Sequence, residues 1–452
     1  MAEALTAETA GASRVTVREV LRLAVPALGA LIAEPLFLLA DTAIVSHLGT
    51  RPLAGFGTAA AALSTLVNVC IFLAYGTTAA VSRKLGAGDA VGAIRSGIDV
   101  VALAAGLGAL LAVAGLVAAP RITVLLGVTP AAAGYAATYL RVSSLGLPAM
   151  LVVLAGTGLL RGMANTRTPL LLAICGAAVN IALNYLLVYP AGLGIAGSAL
   201  GTAITQAGLG GCYLLIIRGT AIRHGVRRAP SLRGIKDSLG TNVALLIRTV
   251  ALRIYLLVAV WVAGQTGTVG LASFTVANNV WTLLALALDA LAIAAQALIG
   301  HALGAGQADR ATALTRRLMR WAGGYGVLTG IVLLAAAPLA VPLLTPDPRV
   351  RAGLIPVVLI MAALQPAAGV VFLLDGVLIG AGDARYLAWA GIATTGVFVA
   401  CALPVAWLHL SITYLWLAIG ALTLARLIAL AVRVRGTAWI RLGMPSSRQG
   451  RP

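Results

Sequence analysis

Apolar stretches of near-uniform length, separated by short polar joints, run along the whole chain. A bilayer's hydrocarbon layer of roughly 30 Å takes about 20 apolar residues per helical crossing. Runs of that length lie near residues 20–47, 53–82, 95–119, 133–160, 169–190 and 194–217, then 239–263, 269–300, 312–338, 353–380, 386–408 and 412–433. Leu, Ala and Gly fill them without the alternation of apolar and polar positions that a barrel strand needs, so helices are expected throughout. The predicted fold is all-α and integral to the membrane, with twelve transmembrane helices.

The pattern repeats itself. Leu53-Ala54 and Phe56 lie over Leu271-Ala272 and Phe274, and Leu85-Gly86-Ala87-Gly88 over Leu303-Gly304-Ala305-Gly306. Pro148 meets Pro366, Gly162 meets Gly380 and Arg167 meets Arg385, all at one ungapped offset of 218 residues. Each repeat holds an even number of crossings, so the two lobes are expected to be parallel repeats of six helices around a central cleft. The expected parts are an N-terminal tail at 1–17, an N-lobe at 18–218, a basic linker at 219–238, a C-lobe at 239–434 and a C-terminal tail at 435–452. The two Leu-Gly-Ala-Gly segments read more simply as helix-ending turns in which Gly takes a positive φ than as loops coupling the lobes.

Composition agrees with a membrane protein. Of the 452 residues 60% are hydrophobic and 10% charged, too few to coat a soluble globule. The net charge of +19 follows the membrane rather than a nucleic-acid surface. With a cytoplasmic N-terminus, inside segments gather Arg14, Arg18 and Arg22; Arg83, Lys84 and Arg95; Arg161 and Arg167; and, in the linker, Arg218, Arg223, Arg227, Arg228, Arg233 and Lys236. They continue with Arg310, Arg316, Arg317, Arg320 and Arg385, and with a tail carrying Arg426, Arg433, Arg435, Arg441, Arg448 and Arg451. Outside segments hold only Arg51, Arg121, Arg141, Arg349 and Arg351, so the positive-inside rule puts both termini in the cytoplasm. The first apolar run is too long for a cleaved signal. Cys70, Cys175, Cys212 and Cys401 all fall inside spans and are expected to be packing residues rather than disulfide or zinc ligands.

Ionisable groups inside spans are costly and therefore informative, among them Glu34, Asp41, Arg248, Arg253, Asp289 and Asp375. Glu34 and Asp41 are two helical turns apart on one face, with Pro35 between them as a candidate conformational switch. Asn180 and Asn184, an i, i+4 pair, fall at a similar depth on the fifth span, and Thr202 on the sixth. A carboxylate with amide and hydroxyl oxygens suits proton or hard-cation coupling, with a possible Na⁺ at Asp41, Asn180, Asn184 and Thr202. The alternatives are an Asp41 or Glu34 paired with Arg248 or Arg253, and asparagines that only bridge helices.

These residues resemble the multidrug and toxic compound extrusion (MATE) family over residues 18–434. Leu160-Arg161-Gly162-Met163-Ala164-Asn165-Thr166-Arg167-Thr168-Pro169 is similar to the family's LRGxxDTRTP stretch, with Asn165 where Asp is frequent. Leu374 to Asp383 is similar to the DNA-damage-inducible-type branch, and Gln296 to Gly304 to the segment after the eighth span. The resemblance implies an antiporter that exports amphipathic, often cationic molecules against H⁺ or Na⁺, needs no cofactor and is not an enzyme. It implies coupling at Asp41, Asn180, Asn184 and Thr202. Asn184 departs from the acid often found there, which favours H⁺, and the seventh span carries no acid. Asp375, in the branch signature, is implied as a packing or gating residue, with Asp289, Arg248 and Arg253 as further candidates. A monomer in a bacterial-type inner membrane is expected, with lipid and small molecules as partners and no nucleic acid. The competing readings are a lipid flippase, which needs more cationic residues than Arg248 and Arg253, and an intramembrane enzyme, for which His47, His224, His301 and His409 are too dispersed.

Overall fold

The computed structural model describes residues 17–226 and 230–442. Arg14, Arg227, Arg228, Arg448 and Arg451 of the basic segments lie outside the described residues, as does most of each predicted tail. Every regular element among the described residues is a helix. In chain order these are α1 (Val17–Ser46), α2 (Thr50–Val69), α3 (Phe72–Gly86), α4 (Ala90–Leu125), α5 (Pro130–Ser144), α6 (Leu147–Gly162) and α7 (Arg167–Val188). There follow α8 (Gly194–Arg223), α9 (Leu232–Gln265), α10 (Gly267–Gly304), α11 (Ala308–Leu344), α12 (Pro348–Gly380), α13 (Ala384–Trp407) and α14 (Ile412–Arg435). With α2 and α3 as one span, 11 crossings are long and apolar enough for a membrane, and 12 when α5 and α6, bent by 53°, are taken together.

The repeat read from the sequence reappears in the helix ends. α3 and α10 stop at Gly86 and Gly304, α6 and α12 at Gly162 and Gly380, and α4 and α11 start at Ala90 and Ala308, each pair one offset apart. Pro130 and Pro348 open α5 and α12 at the position where a missing N–H costs nothing. The Leu-Gly-Ala-Gly segments are helix-ending turns: Gly88 and Gly306 have φ of 79° and 75°, and the amides of Asp89 and Gln307 reach back to the carbonyls of Lys84 and Ala302 at 2.9 Å.

Internal packing repeats as well. A Cβ on Gly158 would lie 2.4 Å from the Ala74 carbonyl oxygen, and one on Gly376 would lie 2.4 Å from that of Ala292. A Cβ on Gly108 would meet Pro148 at 2.5 Å, and one on Gly326 would meet Pro366 at 2.6 Å. The α3–α6 and α10–α12 crossings, like α4–α6 and α11–α12, are therefore backbone-to-backbone contacts opened by glycine.

Two spans depart from the expectation of unbroken runs at 53–82 and 133–160. The first breaks at Cys70 and Ile71, the second at Leu145 and Gly146, while their counterparts α10 and α12 are continuous. Pro148 and Pro366 are equivalent, so proline alone does not break the second span; Gly146 stands where α12 has Leu364. Before the break the ladder tightens, with amides of Leu145 and Gly146 bonding carbonyls three residues back at 3.2 and 2.9 Å.

The chain forms two compact units. One is Pro26–Asn242; the other holds the described residues through Val25 and those from Val243 onward, so the chain changes unit inside α1 and again inside α9. The first unit packs Val45, Phe56, Tyr139, Leu140 and Ile195, with Phe56 and Tyr139 edge to face at 5.1 Å. The second packs Phe274, Phe398, Leu415 and Trp416, joined by the Tyr255–Phe398 and Trp281–Trp416 contacts at 5.6 and 5.9 Å. Of the cysteines only Cys70 is buried; Cys175, Cys212 and Cys401 are exposed, so the expected packing role holds for the first alone.

Candidate functional site

Helical spacing puts Asn180 and Asn184 one turn apart on α7, and both are fully buried. Opposite them α1 presents Asp41, 1% exposed. The Asn184 amide donates to the Asp41 carboxylate and, at 3.1 Å, to the Asn180 side-chain oxygen. Asn180 in turn donates to the Thr202 hydroxyl on α8 at 3.2 Å, and Thr202 also lies against Asp41. One polar chain thus ties α1, α7 and α8 together within the Pro26–Asn242 unit. Gly201 makes room for it: a Cβ there would lie 2.1 Å from the Asn184 side-chain oxygen. That oxygen is buried and has no hydrogen-bond partner among the described residues.

Sequence reasoning did not select Tyr139 or Gly201. Tyr139 reaches Thr202 and lies in the field of Asp41. The signal available for it was a tyrosine one turn after Tyr135 inside an apolar run; for Gly201 it was the residue before Thr202 on the same helix. Beyond the cluster, Ala43, Ile44, His47, Tyr185 and Tyr189 line an open groove of about 490 Å³. The two tyrosine rings meet at 5.2 Å, and the Tyr189 hydroxyl donates to the Ile44 carbonyl at 2.8 Å, linking the ends of α7 and α1.

The other predicted residues are dispersed. Glu34 and Pro35 are exposed on α1, which continues through Pro26 and Pro35 as one helix. Asp289 is half-buried in α10 and Arg253 half-buried in α9. Arg248 pairs with Asp375 at 2.8 Å, and Arg426 bonds the same carboxylate oxygen, so one acid joins α9, α12 and α14. Arg426, assigned from the sequence to the basic tail, is instead a half-buried partner inside α14; its place within the predicted span 412–433 was the available signal. The buried Asp383 takes hydrogen bonds from Arg433 at 2.7 Å and Arg441 at 3.2 Å, while Arg433 stacks on Tyr386. Its counterpart Asn165 keeps its bonds local, accepting from the Thr168 amide at 3.1 Å.

The MatE family model matches residues 26–186 and 245–408, once in each repeat. DNA damage-inducible protein F of Escherichia coli is 29% identical over 427 residues, covering 90% of each chain. Protein DETOXIFICATION 44, chloroplastic, of Arabidopsis thaliana is 29% identical over 391 residues, 82% of this chain and 73% of that protein. A probable multidrug resistance protein NorM of Thermotoga maritima is 23% identical over 344 residues, 74% of this chain and 73% of that protein. Among solved structures, a Vibrio cholerae MATE transporter in a bent form superposes with a TM-score of 0.83 at 19% identity, over 93% of this chain and 98% of that one. A transporter from Pyrococcus furiosus gives 0.80 at 22% identity, over 94% of each chain. With two copies of the family domain in register with its internal repeat, this chain belongs to the MatE family of multi-pass membrane transporters, the multidrug and toxic compound extrusion transporters.

Proposed function

We propose that the chain exports amphipathic, often cationic small molecules in exchange for protons carried by Asp41, by alternating access in a bacterial-type inner membrane with both termini cytoplasmic. The observation that carries this reading is the single carboxylate of the Asp41–Asn184–Asn180–Thr202 chain. Asn184 turns an N–H toward Asp41, and Asn180 an N–H toward Thr202. The Asn184 donor holds one oxygen of the carboxylate and opposes a metal cation there, and a proton would add to the other Asp41 oxygen, which Asn184 does not touch. A Na⁺ site would need several oxygens turned inward, whereas the Asn180 oxygen is already taken by Asn184, which leaves the unmatched Asn184 oxygen as the one open amide oxygen of the pair. Protonation would weaken the tie between α1 and α7 and release α1 to another arrangement. The aromatic groove beside α1 suits a flat cation, which tyrosine faces attract.

A lipid flippase would call on Arg248 and Arg253, and the first of these is paired with Asp375. The deciding experiment uses purified protein in vesicles and records drug-dependent H⁺ movement with and without Na⁺. Wild type should move H⁺ independently of Na⁺, and Asp41→Asn, of equal size, should fold and insert but not couple. Drug-driven H⁺ flux in Asp41→Asn equal to wild type would sink the proposal.

A further inference from the structure

The described structure contains a buried carboxylate that the coupling site does not use. Asp99, on α4, is 2% exposed. Its oxygens accept the backbone N–H of Ser231 at 2.8 Å and the Ser231 hydroxyl at 3.4 Å, across 132 residues of chain. Ser231 immediately precedes α9, and its hydroxyl also accepts the Gly234 amide at 3.0 Å. Asp99 therefore ties down the N-terminal turn of α9, where unpaired amides and the positive helix end favour an anion. Gly234 permits this approach, since a Cβ there would lie 1.9 Å from an Asp99 oxygen.

The anchored turn belongs to the Pro26–Asn242 unit, whereas α9 from Val243 onward belongs to the other. The change of unit comes after Gly240-Thr241-Asn242, a run of residues that favour the helix weakly. At the boundary Asn242 is 3% exposed, and its side-chain oxygen has no hydrogen-bond partner among the described residues. A buried acceptor left unmatched in one conformation is a group that another conformation can satisfy. In α1 the chain changes unit at Val25 and Pro26, within one residue of the repeat-equivalent position.

We infer that Asp99 latches the start of α9 to the Pro26–Asn242 unit, and that transport bends α9 at Gly240–Val243 rather than moving the chain at the linker. This rests on the chain being a transporter, so its test has one arm that needs no transport. Hydrogen exchange read by mass spectrometry on purified protein compares wild type with Asp99→Ala, Asp99→Asn and Gly240→Ala. Asp99→Ala should speed exchange across 231–235 by about tenfold, the loss of a charge-assisted bond. Asp99→Asn, which keeps an acceptor oxygen, should restore part of the protection. Exchange in Asp99→Ala equal to wild type would overturn the latch.

The second arm measures drug efflux in vesicles. Gly240 has open space around it, so Ala fits and acts chiefly by favouring the helix about fivefold. Gly240→Ala should slow turnover severalfold while leaving thermal stability equal or higher. Asp99→Ala should slow turnover as well, with Asp99→Asn recovering part of it. Wild-type turnover in Gly240→Ala would overturn the bend, and wild-type turnover in Asp99→Ala with fast exchange at 231–235 would reduce the latch to a structural tie. If wild type itself moved no drug or ion, the transport reading would fail while the exchange arm still decided the latch.

Discussion

Asn184 stands at the point where one more carboxylate would change the charge of the coupling cluster. Its amide already touches Asp41 and Asn180, so an acid of nearly the same size at that position adds an oxygen donor without new volume. Asn184→Asp should therefore introduce Na⁺ binding, read as Na⁺-dependent thermal stabilisation of the purified protein that wild type lacks; no Na⁺ effect would mean that the carboxylate count does not select the ion. Ala164 is a residue of a different kind. It sits in the left-handed region at φ 57° after α6, where the repeat-equivalent Gly382 has φ 75°. An L side chain pays a steric cost there that exceeds the extra entropy glycine loses, so Ala164→Gly should stabilise by about 0.5–1 kcal/mol and Gly382→Ala destabilise by a similar amount. Melting curves of the purified variants check both signs.

Helices of the unit that runs from Val243 onward are held by two devices that substitution can separate. Glycine contacts set how closely backbones approach, and Gly376→Ala would force α12 away from the Ala292 carbonyl of α10. Overpacking of that sort should cost about 1–3 kcal/mol, seen as a lower melting temperature. The other device is the Asp375 carboxylate shared by Arg248 and Arg426. Asp375→Ala leaves two guanidinium groups mostly buried without it and should cost about 3–5 kcal/mol. Replacing all three with apolar residues of similar length removes the mismatch and should recover most of that loss. A stable triple variant that no longer transports would show that the charges serve the cycle and not only the packing.

Across the whole chain, orientation is the property most directly open to measurement. The proposed topology places the joint between α8 and α9 in the cytoplasm. Ser231 is a poor reporter because it is bonded to Asp99, whereas His224 is exposed at the end of α8. In a background lacking the exposed Cys175, Cys212 and Cys401, a cysteine replacing His224 should react with an impermeant maleimide only after cells are opened. Labelling from outside intact cells would invert the proposed orientation.

Crossing number, the repeat and its register were legible in the sequence because hydrocarbon thickness fixes helix length, and because helix-ending glycines and helix-opening prolines carry their geometry locally. Asp41, Asn180, Asn184 and Thr202 were legible for the same kind of reason: a polar group in an apolar span is expensive wherever the helix goes. Long-range partnership was not legible. That Asp375 takes Arg248 and Arg426, that Tyr139 reaches Thr202, or that Asp99 meets Ser231 depends on which helices pack together. The breaks at Cys70 and Gly146 were hidden as well, because an apolar run reads the same whether its backbone is continuous or bent. Composition along one helix records the solvent around it; the choice of neighbour is made only when close approach, glycine by glycine, decides which faces meet.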